Sequence, residues 1–422
     1  MISFEPSDDQ KLMVESVAQF ARTVLRPSFR TFERERALPE SVRRTAHELG
    51  LGLVALPEAV GGAGLGLTTA VLLEEEVAWG DPAAAFGFGG AGALGLAACE
   101  LGTAEQARAA LDPFLGGEGH ARFGAVAWGE RKPHPARAGL STVAKKDGTS
   151  YRIDGEKAYV TNADRADRFV VFAQVDETAG WNGVGAFLVD KDAQGLTVLP
   201  RETTLGLDVA SFGGLRLDGV VVPESARLLG PRGAGPDGGE PDFTRALVRF
   251  FAKNALVIAA RSVGLARATF EVTREYVDTR KAFGKPIGHF QAVAFTVADR
   301  AMDVEAARGL VWRAAAAWDA SDAAGGTDTA GGEREALLRT AQAVAFAHEA
   351  AMRCGDDGVQ LHGGAGFIRD YPVEKWMRDG KQLGLCAMTA EQADQLAAAV
   401  ELGLPVDPGL VLPTPETQNA FV

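Results

Sequence analysis

Hydrophobic periodicity changes twice along this chain, and that double change limits the fold more than any single motif. From residue 8 to about 120, apolar side chains recur at helical spacing, as in Leu12, Val17, Phe20 and Val24, with Ser7, Asp8 or Asp9 as candidate N-caps. A glycine-rich break at Leu56–Gly64 separates this stretch from a helix carrying Glu74, Glu75 and Glu76. From about 122 to 230 the pattern becomes short β-rich runs: Phe123–Trp128, Tyr151–Ile153, Tyr159–Thr161, Phe169–Val175, Gly183–Val189 and Gly219–Val222. Asp147-Gly148 and Asp154-Gly155 read as turns between them. Helical spacing returns from Phe243 to 402, with long amphipathic stretches near 243–280 and 290–320 joined through Gly284-Lys285-Pro286. A segment patterned for one period would turn apolar side chains to water if folded with the other.

The expectation is therefore an α+β protein in the order α, β, α. Its parts are an N-terminal helical domain (1–121), a central antiparallel β-domain (122–235), a C-terminal helical bundle (236–402) and an extended tail (403–422). The glycine- and proline-rich run at 230–242 reads as a connector, and 321–333 as a loop. After that loop, Leu337, Ala341, Val344, Ala345, His348 and Met352 form one helical stripe.

Composition narrows the function classes. With 46% hydrophobic and 23% charged residues, wholesale disorder is excluded. A net charge of −13 argues against nucleic acid or an anionic membrane as partner, although a few local arginines can still hold an anionic ligand. Cys99, Cys354 and Cys386 match no metal or disulfide spacing, so no metal site is expected. The first residues lack a basic segment followed by an apolar one, and no apolar run is long enough to span a bilayer. A soluble, cytoplasmic protein is the expectation.

Short catalytic motifs such as GxSxG, HExxH and the P-loop are absent, and Gly90–Gly95 lies within helical sequence, where it reads as helix packing or a helix break. Four longer signatures remain. They are Arg280-Lys281-Ala282-Phe283-Gly284-Lys285-Pro286-Ile287 with Phe290-Gln291; Gln360-Leu361-His362-Gly363-Gly364-Ala365-Gly366-Phe367 with Tyr371–Lys375 and Arg378-Asp379; Asp154–Ala163; and Pro57–Leu65 with the glutamates at 74–76. Together with the α-β-α order they closely resemble the acyl-CoA dehydrogenase family, over about residues 8–400.

The resemblance implies a flavoprotein with an N-terminal helical domain, a central β-domain and a C-terminal four-helix bundle. It implies FAD bound between β-domain and bundle, an acyl-CoA or acyl-carrier-protein thioester as substrate, and a homodimer or homotetramer whose neighbours complete each flavin site. Its cofactor residues would be Thr161, Arg280, Phe283, Gln291, Gln360, Gly363 and Gly364. Arg280 would grip the pyrophosphate of a neighbouring subunit's flavin, with Phe283 packing nearby. Gly363 and Gly364 would admit the adenylate, Gln360 would supply a polar contact, and Thr161 would present its hydroxyl to the isoalloxazine edge.

The chain departs from the family at its chemistry. In most members a glutamate abstracts the α-proton of the thioester, and here Ala387 stands at that position. Asn254 occupies the alternative base position, and Ala255 replaces the arginine usual beside it. The flavin-facing loop reads Ala127-Trp128-Gly129-Glu130-Arg131-Lys132-Pro133-His134, which loses a hydroxyl donor and gains cations. Glu391, His362 and His289 are candidate replacement bases without a specific claim, and Cys386 reads as packing rather than nucleophile. The catalytic residues are thus left unassigned. Four readings stay open: a thioester oxidoreductase with a displaced base, a base-less partner of a base-bearing homologue, a flavin-dependent oxygenase or N-hydroxylase, and a non-catalytic ligand-binding protein.

Overall fold

The computed structural model describes residues 6–132, 134, 136, 138–230, 243–324, 330–404 and 406. Helix α1 (Asp8–Phe20) starts at Ser7, whose hydroxyl accepts from the Gln10 amide while the Gln10 side chain caps back onto Ser7. A π-helical turn at Ala21–Leu25 carries it into α2 (Arg26–Glu35), which stops where Arg36 becomes left-handed at φ 53°. Then follow α3 (Glu40–Glu48), α4 (Gly66–Gly80), α5 (Ala84–Gly87), α6 (Gly92–Leu101) and α7 (Ala104–Leu111). Gly90, just before α6, and Gly92, its first residue, both have positive φ, so that glycine run is a helix break.

The middle of the chain is one twisted sheet of eight strands. They are β1 (Gly124–Ala127), β2 (Val143–Asp147), β3 (Ser150–Thr161), β4 (Arg168–Gln174), β5 (Val184–Asp190), β6 (Leu196–Leu199), β7 (Phe212–Pro223) and β8 (Arg227–Leu228). Their spatial order is β6-β7-β3-β2-β4-β5-β8, with β1 beside β4. Pairing is antiparallel except for β1 with β4 and the single Val143–Gln174 pair.

The strands differ here from the sequence expectation. Asp154-Gly155 is not a turn: the Tyr151–Ile153 and Tyr159–Thr161 runs belong to one long strand, with register shifts beside Asp154, where β7 carries the extra residue, and at Ala158-Tyr159. Gly155 takes φ 149°, and a Cβ there would lie 2.6 Å from Thr142 Oγ1, so the strand bends instead of reversing. The polar strand β2 and the short, mostly exposed β6 gave no apolar run to detect. Asp147-Gly148 does turn, with Gly148 at φ 58° between β2 and β3.

The C-terminal part is built on three long helices, α8 (Phe243–Thr279), α9 (Gln291–Ala323) and α10 (Ala330–His362), with α11 (Val373–Leu383) and α12 (Ala390–Glu401) packed on α10 as the fourth side of the bundle. Between α8 and α9 lies a two-stranded hairpin, β9 (Lys281–Ala282) and β10 (Lys285–Pro286). The 321–333 segment is shorter as a loop than its composition suggested, since α9 and α10 run into it from both sides. Residues 231–242 of the connector, and the tail beyond 404 apart from 406, lie outside the described residues.

One apolar cluster runs through the N-terminal helices and the bundle; a second fills the sheet around Phe169, Val171, Phe187 and Leu215. Sheet and bundle meet at an aromatic seam, where Trp128 packs edge-on against Phe251 at 4.8 Å and Phe172 stacks on Phe250 at 6.2 Å. That seam fixes the end of β1 against α8.

Candidate functional site

Helix α8 runs out at Thr279, and the Arg280 amide still donates to the Tyr276 carbonyl at 2.8 Å while its own carbonyl accepts from Ile287. Arg280 is thereby held at the helix end, beside the last turn of α10. A cavity of about 750 Å³ lies elsewhere, against Arg26, Trp79 and Glu271; the one at Arg280 is about 580 Å³ and includes Gln360, His362, Gly363, Gly364 and Tyr371. Arg280 makes no ion pair among the described residues. Gly363 has φ 56°, and a Cβ built on Gly363 or Gly364 would meet no atom within 4 Å. His362 forms the floor: its ring stacks on Tyr276 at 4.1 Å, and Nδ1 donates to the Gly358 carbonyl at 2.7 Å. Burial pushes its pKa down, and Nε2 has no hydrogen-bond partner among the described residues. An unpaired guanidinium, an open glycine backbone and a polar amide suit a phosphate-bearing dinucleotide.

The other expected cofactor residues lie apart from this cavity. Phe283 and Gly284 form the two-residue turn of the β9–β10 hairpin, both at positive φ, 52° and 84°. Left-handed backbone is unusual for a bulky side chain, and here it aims Phe283 outward, 96% exposed. Gln291 opens α9 just past that hairpin. Thr161 ends β3 on the sheet, half-buried, and its hydroxyl makes no hydrogen bond among the described residues. Next to it Asn162 is left-handed and buried, donating from Nδ2 to the Phe86 carbonyl at 2.8 Å. Four of the seven, Arg280, Gln360, Gly363 and Gly364, thus share one cavity, while Phe283, Gln291 and Thr161 lie apart from it.

Neither position where the resemblance puts the base carries a carboxylate. Ala387 is buried and Asn254 half-buried. Glu391 lies in the exposed first turn of α12, where the main chain and the Thr389 hydroxyl hold its carboxyl below the usual range. Thr389 itself is the N-cap of α12, paired reciprocally with Gln392. His289 lines the other cavity with Arg26 and Glu271. Burial pushes the Cys386 thiol up to about 12, which removes the thiolate a nucleophile needs.

The loop that the resemblance turns toward a flavin is also less cationic than its sequence. Arg131 is taken up by Glu202 and lies over the Tyr159 ring. Glu130 is buried against Lys157 at 2.8 Å and accepts from the Ser141 and Thr142 amides. Burial opposes its charge, but Lys157 and those amides outweigh it and hold the carboxyl below its ordinary value.

Arg261 escaped the sequence reading. On α8 it donates to Glu74 of α4 through Nε at 2.8 Å and Nη2 at 3.2 Å, and its guanidinium lies 4.4 Å over the Phe86 ring. The available signal was one arginine inside the otherwise uncharged run Leu256–Ala266. By contrast Glu75 and Glu76, singled out with Glu74, pair with Arg308 and Arg267 and tie α4 to α9 and α8.

Three family models match in chain order: the acyl-CoA dehydrogenase N-terminal domain over residues 7–118, the middle domain over 127–220 and the C-terminal domain over 243–387. The chain is 32% identical over 378 residues to a Mycobacterium tuberculosis protein named probable acyl-CoA dehydrogenase FadE25, covering 90% of this chain and 91% of that one. It is 31% identical over 379 residues to benzylmalonyl-CoA dehydrogenase of Aromatoleum aromaticum, covering 90% and 94%. The structure of butyryl-CoA dehydrogenase from Megasphaera elsdenii superposes with a TM-score of 0.82 at 26% identity, covering 95% of this chain and all of that one. Among the described residues no helix is long and apolar enough to cross a membrane. Models matched in order, a relative aligned along nearly its whole length and a shared three-part fold lead to one conclusion: this chain belongs to the acyl-CoA dehydrogenase family, whose members are FAD-dependent flavoproteins.

Proposed function

We propose that the protein is an FAD-dependent oxidoreductase acting on an acyl thioester, carried by CoA or by an acyl carrier protein, at or next to the α,β-bond. The observation that carries this is the cavity where unpaired Arg280 meets Gln360 and the open backbone of Gly363 and Gly364. Arg280 would hold a flavin pyrophosphate by charge-assisted hydrogen bonds, Gln360 would orient the adenylate, and the glycines would let it approach. Thr161 would present its free hydroxyl to the isoalloxazine edge. Bound FAD would supply the hydride acceptor.

Thr161 does not line the Arg280 cavity, which favours a flavin site completed by a second subunit. Outward-facing Phe283, and Phe295 and Met302 exposed on α9, supply apolar surface for such a neighbour, giving a homodimer or homotetramer. The purified protein should show a flavin spectrum, and anaerobic addition of a saturated acyl-CoA series should bleach it. Arg280→Met should lower flavin content at least about tenfold while the far-ultraviolet circular dichroism stays native. A colourless protein that takes up no FAD on reconstitution would overturn the proposal.

A second reading is favoured by Ala387, a buried residue without an ionisable group where the resemblance puts the base. In it the chain is the base-less partner of a base-bearing homologue and keeps Arg280 to serve that partner's flavin. Full flavin occupancy and turnover by a homo-oligomer would exclude it, and co-purification with such a homologue would support it.

A further inference from the structure

A buried guanidinium occupies the ground where three separate parts of the proposed site meet. Arg261 is on α8, seven residues and so two turns after Asn254 on the same helical face. Its charge acts on the Cys386 thiol, next to Ala387. The ring beneath it, Phe86, is held through its carbonyl by Asn162, the residue following Thr161. Both empty base positions and the end of β3 are thus linked to one side chain.

The geometry of that side chain is that of a presenter. Glu74 takes the Nε and Nη2 edge, and the Phe86 face fixes the plane. Nη1 is left over: it makes no hydrogen bond among the described residues. The Arg261 and Glu74 side chains keep 11% and 15% of their exposure, as expected for groups at the wall of a site. A carboxylate gripped bidentately by arginine is a poor proton acceptor, so Glu74 is better understood as the positioner of Arg261 than as a substitute base.

We infer that Arg261 is a specificity-determining residue whose Nη1 edge binds an oxygen acceptor on the acyl group, so that the site selects oxygenated acyl thioesters over plain alkyl ones. This rests on the thioester reading proposed above. An alkyl chain laid against Nη1 would strip its remaining water and give nothing back, whereas a hydroxyl or carboxylate oxygen restores the lost bond. The Glu74 charge balances that of Arg261, so both neutral and anionic oxygens fit the chemistry.

The test is calorimetric titration of the purified oligomer with butyryl, 4-hydroxybutyryl and succinyl thioesters, each as CoA and as pantetheine derivative. These share one chain length and differ in the terminal group. At least one oxygenated thioester should bind about tenfold or more tightly than butyryl, and Arg261→Met should abolish that ratio. Because Arg261→Met leaves Glu74 unpaired, the double variant Arg261→Met/Glu74→Gln, checked by its melting curve, is measured alongside. Hydroxyl and carboxylate arms tell a neutral from an anionic acyl group. Butyryl binding as well as the others, or a ratio unchanged in a folded variant, overturns the role of Arg261 alone. Absence of binding by all the thioesters overturns the underlying thioester reading and the inference with it.

Discussion

At the scale of single residues, His348 shows how burial decides chemistry. It faces Ser262 across the α8–α10 contact, its Nδ1 2.9 Å from the Ser262 hydroxyl, and burial pushes its pKa down to about 4. A histidine pKa lowered in the fold means the unfolded chain binds the proton more readily below its ordinary value. Stability is then fully present above about pH 6.5 and falls as pH drops toward 4. Between pH 7.5 and 5 this one group should cost about 2 kcal/mol. Urea denaturation at the two values should show that loss in the wild type, reduced in His348→Gln. His348 was legible as one residue of an apolar stripe; its neutrality was not, because desolvation depends on what packs across from it. Arg131 and Arg261 teach the same point in opposite directions. Arg131 looked like an available cation and is neutralised by Glu202, while Arg261 lay unnoticed in an otherwise uncharged run and reaches the proposed site.

Between elements, some of the joints are buried ions. Lys375 of α11 bonds Asp81 at the end of α4 at 2.9 Å and Asp379 one turn on at 2.5 Å, all three almost fully enclosed. Burial works against the ammonium, but the two carboxylates outweigh it and hold its pKa above the usual range. Burial raises Asp81, whose Oδ2 has no hydrogen-bond partner among the described residues. Lys375→Met, which strands two carboxylates, should cost about 3–5 kcal/mol in chemical denaturation. Asp81→Asn should cost far less, since Asp379 still balances Lys375. In the sheet, Gly155→Ala should lower stability by about 1–3 kcal/mol, through strain at φ 149° and contact with Thr142. A melting temperature unchanged by that substitution would mean β3 is not constrained there as described. Helices here were easier to read than strands, because a 3.6-residue period persists over dozens of residues. A polar edge segment such as Val143–Asp147 has no pattern to extend.

For the whole molecule, the separation of Thr161 from the Arg280 cavity argues that flavin content and assembly rise and fall together. Introducing charge on the exposed face of α9, by Phe295→Glu with Met302→Glu, should shift the protein to smaller species in analytical ultracentrifugation. The same double variant should lose flavin, although neither residue lines the Arg280 cavity. A dissociated protein that kept its flavin would show that one chain suffices. The aromatic seam of Trp128, Phe172, Phe250 and Phe251 holds sheet to bundle inside the chain, so domain contact should survive dissociation.

Sequence alone determined the α, β, α order and the family, because periodicity and motif register are properties of neighbours along the chain. Tertiary structure decided which charges are free. It paired Arg131 with Glu202 and Glu75 with Arg308, left Arg280 without an ion pair among the described residues, and brought Glu74, Phe86, Arg261 and Cys386 together from distant segments. A charge's partner and its desolvation depend on distances in space, and the linear spacing of residues does not encode those until the chain has packed.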